Sequence, residues 1–185
     1  MTYYDQHEII KSAGMHKYKY LCIPMIVIII CFFLTPYFDF MKYISLLAIV
    51  KYAKLLLIFR FNRSYSEPEV GEIVSPINGK ITDIEKIENG SIITIKKPAH
   101  YPCEIITSSN SDIINSLETD NDRVSWKITN YFQKIYYDEN VNKPCSIVGI
   151  SPGKATCEIF IPHRYKLNVG IGDKVEAGEG IGIHH

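Results

Sequence analysis

The side chains able to do chemistry are scattered along this 185-residue chain rather than clustered. Cys22, Cys31, Cys103, Cys145 and Cys157 could act as nucleophiles, yet none forms a Cys-x-x-Cys pair or stands at zinc-like spacing. Neither a redox motif nor a disulfide scaffold is expected, and a reducing compartment fits. Cys157, between Thr156 and Glu158 in a strand-like run, reads as core packing. His163 and Arg164 follow a proline in Ile161-Pro162-His163-Arg164. A guanidinium fork suits phosphate oxygens, and an arginine after a proline turn suits solvent equally well. His100, in Pro98-Ala99-His100-Tyr101-Pro102, reads as a loop histidine, and His184-His185 reads as a frayed tail rather than a metal pair; no metal site is expected. Glu118-Thr119-Asp120-Asn121-Asp122 reads as a solvated acidic loop. Trp126 with Tyr131, Tyr136 and Tyr137 forms an aromatic group that either lines a lipid-facing edge or packs in a core.

The elements that must position these groups divide the chain sharply. Residues 1–63 carry eight Lys or Arg against three acids, whereas residues 64–185 carry twelve against seventeen. Tyr20 to Leu34 holds no charge, and with Tyr37, Phe38 and Phe40 the apolar stretch approaches the roughly 20 residues that cross a bilayer. No small-residue cleavage site follows it, so an uncleaved anchor is expected rather than a signal peptide. Met41 to Phe61 is hydrophobic too, but Lys42, Lys51 and Lys54 interrupt it. It is either the return arm of a hairpin with snorkelling lysines or an amphipathic helix in the headgroup layer. Basic flanks on both sides fit a hairpin whose two ends are cytoplasmic. The expectation is a membrane anchor over residues 1–63, with helices at about 20–38 and 41–60, and a domain boundary near Ser64.

Beyond the boundary the pattern becomes that of short strands separated by Gly, Pro, Asn and Asp clusters. Runs at 72–74, 80–85, 91–96, 104–107, 123–129, 134–137, 146–150, 155–161 and 166–169 predict a mainly β, barrel- or sandwich-like domain over 64–185. Only Ser111 to Glu118 has helical spacing, which predicts one short helix. Two glycine-bearing phrases punctuate the domain, Ser75-Pro76-Ile77-Asn78-Gly79-Lys80 and Gly172-Asp173-Lys174-Val175-Glu176-Ala177-Gly178-Glu179. Each reads as a tight turn with glycine supplying a left-handed residue, and Val175 is expected to point inward. The acidic domain offers no basic stripe for nucleic acid, and nucleic-acid binding is not expected.

The second phrase recurs in biotinyl and lipoyl carriers, membrane-fusion adaptors and phosphatidylserine decarboxylases. Carriers present their lysine in a Met-Lys pair, and the one such pair here, Met41-Lys42, lies in the membrane segment. The order along the chain, an apolar hairpin, then Phe59-Arg60-Phe61-Asn62-Arg63, then Ser75 to Lys80, then the Gly172 phrase, resembles the short, membrane-anchored form of the phosphatidylserine decarboxylase proenzyme. The likeness is good over residues 59–85 and 146–183 and poor over about 97–145.

The resemblance implies phospholipid biosynthesis at the cell membrane, forming phosphatidylethanolamine, with the β domain cytoplasmic and membrane phospholipid as a partner. It implies a pyruvoyl cofactor made from a serine by self-cleavage in an FGS or GST motif, the cofactor supplying the electron sink for decarboxylation. The resemblance puts that motif where this sequence reads Ile183-His184-His185, and no serine follows Ser151. The precursor serine is thus missing, and activity would require a separately encoded or cleaved pyruvoyl-bearing small subunit. In the family an aspartate supports a histidine that activates the cleavage serine. At its position stands Asn78, whose amide keeps a turn but cannot stabilise an imidazolium; His100 is the nearest candidate for the histidine. His163 and Arg164 fall where short-form relatives carry two arginines, which makes them candidate substrate contacts. Two further readings stand beside this one: a non-enzymatic membrane-anchored adaptor binding a protein partner, and a phosphocarrier domain, which lacks its expected histidines here.

Overall fold

The computed structural model describes residues 3–60, 71–107, 113–114, 116–120, 122–131, 136–137 and 146–184. The chain opens with two antiparallel-running helices, α1 (Tyr3–Leu34) and α2 (Met41–Ile58), that pack against each other. The turn between them follows from its residues. Pro36 cannot continue a helix, Thr35 folds its hydroxyl onto the Cys31 carbonyl at 2.7 Å, and Asp39 pairs with Lys42 at 2.8 Å. The hairpin tip is therefore aromatic, with Tyr37, Phe38 and Phe40 exposed around that ion pair.

Both helices display apolar side chains outward: Ile23, Phe32, Phe33, Leu46 and Leu47 are each at least 60% exposed. A helix that is apolar all round wants a lipid or protein environment. Among the described residues, Lys17–Leu34 is the one stretch long and apolar enough to cross a membrane. The first helix differs from expectation in its start, at Tyr3 rather than near residue 20. Its basic leader holds no proline, so nothing in residues 3–19 interrupts the helix that the apolar segment propagates.

The rest is mainly β, in three sheets, none of them closed. The strands are β1 (Glu72–Val74), β2 (Gly79–Ile87), β3 (Gly90–Lys97), β4 (Glu104–Ile106), β5 (Ile113–Ile114), β6 (Ser125–Asn130), β7 (Tyr136–Tyr137), β8 (Ile147–Ile150), β9 (Ala155–Pro162), β10 (Tyr165–Leu167), β11 (Lys174–Val175) and β12 (Gly180–His184). The largest sheet runs β11-β2-β3-β9-β6-β5; the smaller two run β1-β12-β10 and β4-β8-β7. Alternation decides which side chains go inside. Ile81, Ile95, Cys157 and Ile128 meet in successive register and are buried, while Lys96, Thr156 and Thr129, one residue along each strand, face out. β-branched isoleucines dominate this core because they fill a pleated, half-buried surface well.

Two local expectations are corrected. Ile113 and Ile114, expected in a helix, form a strand parallel to β6, with Ile113 opposite Ser125 and Ile114 opposite Trp126. A β-branched pair beside an open sheet edge gains a ladder there, and that outweighs a weak helical spacing. Gly79 is not left-handed; it begins β2, and a Cβ there would lie 2.5 Å from Ile95 Cγ2 and 2.9 Å from the Lys96 carbonyl oxygen. Close strand approach, not a turn conformation, requires glycine at that position. Gly172 and Gly178 are left-handed as expected, at φ 99° and 86°. The expected boundary at Ser64, Cys145 and His185 lie outside the described residues.

The hairpin is seated on the β domain by a second core. Leu21 from α1, Leu55 and Ile58 from α2, and Phe59 just after it pack with Cys103 and Ile150. The Tyr20 and Phe59 rings stack at 5.9 Å, and the Cys103 amide donates to the Arg60 carbonyl at 2.9 Å. This joint carries the end of α2 to the edge of a cleft in the β domain.

Candidate functional site

The cleft begins where the two glycine phrases meet. Ser75 donates its amide to the Glu179 carbonyl at 2.8 Å and receives the Gly178 amide at 2.9 Å, so the turns interlock. Asn78 sits buried between them. Its Nδ2 donates to Glu104 Oε1 at 3.0 Å, and its Oδ1 accepts the Ala177 amide at 3.3 Å. Ser75 Oγ donates to the Ile77 carbonyl at 2.7 Å and holds the bend that places Asn78 there. Val175 points inward, buried in the main core.

One side of this junction is open. A cavity of about 510 Å³ is lined by Arg60, Asn78, His100, Tyr101, Pro102, Lys174, Val175 and Glu176. Asn78 and His100, far apart in sequence, therefore share a cleft, with His100 on its exposed rim and edge-on to Tyr101 at 5.0 Å between ring centroids. Two cations, Arg60 and Lys174, and one carboxylate, Glu176, complete the polar lining. Among the described residues no serine, threonine or cysteine lines it. The cleft can bind a group carrying both signs of charge, and the hydroxyl its described walls supply is the Tyr101 phenol.

Behind Asn78 lies a buried polar group that alternation along β3 and β4 makes. Ile93 and Ile95 point inward, and so does Lys97, whose ammonium donates to the Gly153 carbonyl at 2.7 Å. Cys103 and Glu104 are fully buried beside it. Burial pulls the Lys97 ammonium down to about 8, against attraction from Cys103 and Glu104. Burial, with the Glu104 charge adding to it, pushes the Cys103 thiol up to about 12. Cys157 is pushed higher still by burial, which leaves both thiols protonated and unreactive at neutral pH.

His163 and Arg164 are not brought to this cleft. His163 Nε2 lies 2.7 Å from the Glu88 carbonyl, and Arg164 binds Asp122 at 2.9 Å while stacking over Tyr165. They stand by the β2–β3 turn, at the other end of the large sheet, about 23 Å along β3 from Lys97. Trp126 is buried in the core, and Tyr131 is exposed at the sheet surface. Among the described residues no cluster of three metal-ligating side chains occurs.

No family model matches the chain, and no curated protein or solved structure matches it. Arg60, Lys97, Tyr101, Glu104, Lys174 and Glu176 are the site residues that sequence reasoning passed over. A period-2 reading of β3 extends the inward row Ile93, Ile95 to Lys97, and a glutamate inside Cys103-Glu104-Ile105-Ile106 is a charge in an otherwise apolar strand; both signals were available in the sequence.

Proposed function

We propose that this chain is a membrane-anchored, phosphatidylserine decarboxylase-related protein of phospholipid metabolism whose β domain supplies lipid-headgroup binding. On this reading α1 and α2 form the anchor, the β domain is cytoplasmic, and the open sheets are a variant of a barrel-sandwich. The observation that supports it is the meeting of the two motif phrases around Asn78, in a cleft that also takes in His100 and that opens beside Arg60 at the foot of an apolar hairpin. A headgroup leaving the bilayer at α2 would meet Arg60 and Lys174, suited to phosphate, and Glu176, suited to an ammonium group.

A second reading, a non-enzymatic adaptor for a protein partner, draws support from Asn78 itself. Both ends of its amide are engaged in holding the fold, to Glu104 and to the Ala177 amide, so the position works without any catalytic role. Mass spectrometry of the protein purified from its membrane separates the two. A bound pyruvoyl-bearing small polypeptide, with a raised ratio of phosphatidylserine to phosphatidylethanolamine when the chain is deleted, is the expected result. No such polypeptide and an unchanged lipid ratio would leave the adaptor.

A further inference from the structure

The outer face of the large sheet carries an arrangement that costs stability unless something answers it. Lys174 on β11 stands directly opposite Lys80 on β2, and Lys80 stands directly opposite Lys96 on β3. All three are exposed, and none makes an ion pair among the described residues. Residues opposed in this way hold their Cβ atoms about 5 Å apart, where like charges repel. The row continues into Thr156 and Thr129, which are uncharged. The next outward row, Asp83, Thr94, Glu158 and Lys127, is mixed in sign. The basic strip thus belongs to one end of the sheet.

That end is the one at the hairpin. Lys174 and Arg60 line the same cleft, Lys97 reaches the Gly153 carbonyl, and exposed Lys154 follows Gly153 where β9 begins. The opposite end is richer in acids, with Lys86, Arg123 and Arg164 standing among them. Exposed Glu85 and Glu88 approach the β2–β3 turn, and Asp120 and Asp122 lie beside it, tied there by Asn89 Nδ2 donating to the Thr119 carbonyl and by Arg164 on Asp122. Exposed Asp173, Glu176 and Glu179 flank Lys174, so the contrast between the ends lies in the sheet row itself, three lysines in line toward the apolar helices against acids near the β2–β3 turn.

We propose that the Lys174–Lys80–Lys96 row is a docking face for an anionic phospholipid surface, fixing the β domain against the same bilayer that holds the hairpin. The proposal rests on the membrane reading of α1 and α2. A neighbouring layer of anionic headgroups removes the repulsion within the row, and the alignment of three lysines on one outward face makes that end of the sheet attractive to it. With the joint at Phe59 and Arg60 restricting rotation, docking sets how the cleft faces the lipid.

The test uses the full chain in nanodiscs of phosphatidylcholine alone or mixed with phosphatidylglycerol, with amine acetylation read residue by residue by mass spectrometry. Lys80, Lys96 and Lys174 should be protected in the anionic discs and not in the neutral ones, while exposed Lys86, toward the acidic end, should react equally in both. Each lysine near such a surface contributes about a fivefold factor to docking. The K80Q/K96Q double variant should then lower docking about 25-fold, seen as lost protection of Lys174, and salt at about 1 M should do the same. Equal labelling of the three lysines in both discs overturns the proposal while leaving the anchor intact. Protection in neutral discs by inorganic phosphate alone overturns it in favour of a small-anion site. Failure of the chain to enter either disc removes the membrane reading and this proposal with it.

Discussion

Replacing Lys97 by Met should change the pH dependence of stability in a defined direction. The ammonium is held at about 8 in the folded protein against 10.5 for an ordinary lysine, because burial opposes its charge. Between those values the unfolded chain binds more protons, so Lys97 makes stability rise with pH there. Its cost is fully present below about pH 8 and is relieved as pH climbs past it. The gap corresponds to about 3 kcal/mol in all, of which about 1 kcal/mol is relieved between pH 7 and pH 9. Cys103 and Cys157 act oppositely, since their raised folded values make stability fall above the ordinary thiol range. Both cysteines remain in the variant and cancel in the comparison. Denaturant unfolding in detergent micelles, followed by the fluorescence of the single Trp126, should show the variant gaining on the native chain at pH 7 and losing about 1 kcal/mol of that relative gain by pH 9. A difference that stays constant across this range would refute the assignment of a charged, desolvated Lys97.

Asn78→Asp should place a second carboxylate against Glu104 and destabilise the domain by about 3 kcal/mol at neutral pH, with stability recovering as the pair takes up a proton in acid; unfolding at pH 7 and pH 5 checks this. Gly79→Ala should cost about 2 kcal/mol through its contacts with Ile95 and the Lys96 backbone, whereas Gly172→Ala, which meets no atom within 4 Å, should cost only about 1 kcal/mol of backbone strain, as measured by the same unfolding. Phe59→Ala should loosen the joint by about 3 kcal/mol and speed hydrogen exchange of the Cys103 amide, which is bonded to the Arg60 carbonyl. With Cys145 replaced by Ser, iodoacetamide at neutral pH should leave Cys103 and Cys157 unmodified in the folded protein and alkylate both in urea.

The division into an apolar helical part and a β part was legible because two different periodicities and a change of net charge mark it. Strands such as β2, β3 and β9 showed in the alternation of isoleucines with polar residues. The short strands β5, β11 and β12 did not, since a two-residue ladder or a glycine-rich strand has too few side chains to show a period, and its existence depends on a neighbour distant in sequence. Asn78 could be singled out from its phrase, but its partners Glu104 and Ala177 lie 26 and 99 residues away, and only the packed chain joins them. Lys174 read as one residue of a turn phrase, and Lys80 and Lys96 as outward strand positions. That the three stand in line is a property of register, which β2's bulge between Ile81 and Asp83 and the β11 pairing fix together.

The ion pair at the tip of the hairpin bears on how such a protein is made. Asp39 and Lys42 are the charged residues of the turn, and they meet within a single helical turn of one another. Were the tip to enter a bilayer first, the pair would carry no net charge into the hydrocarbon, and moving it there would cost less than moving either charge alone.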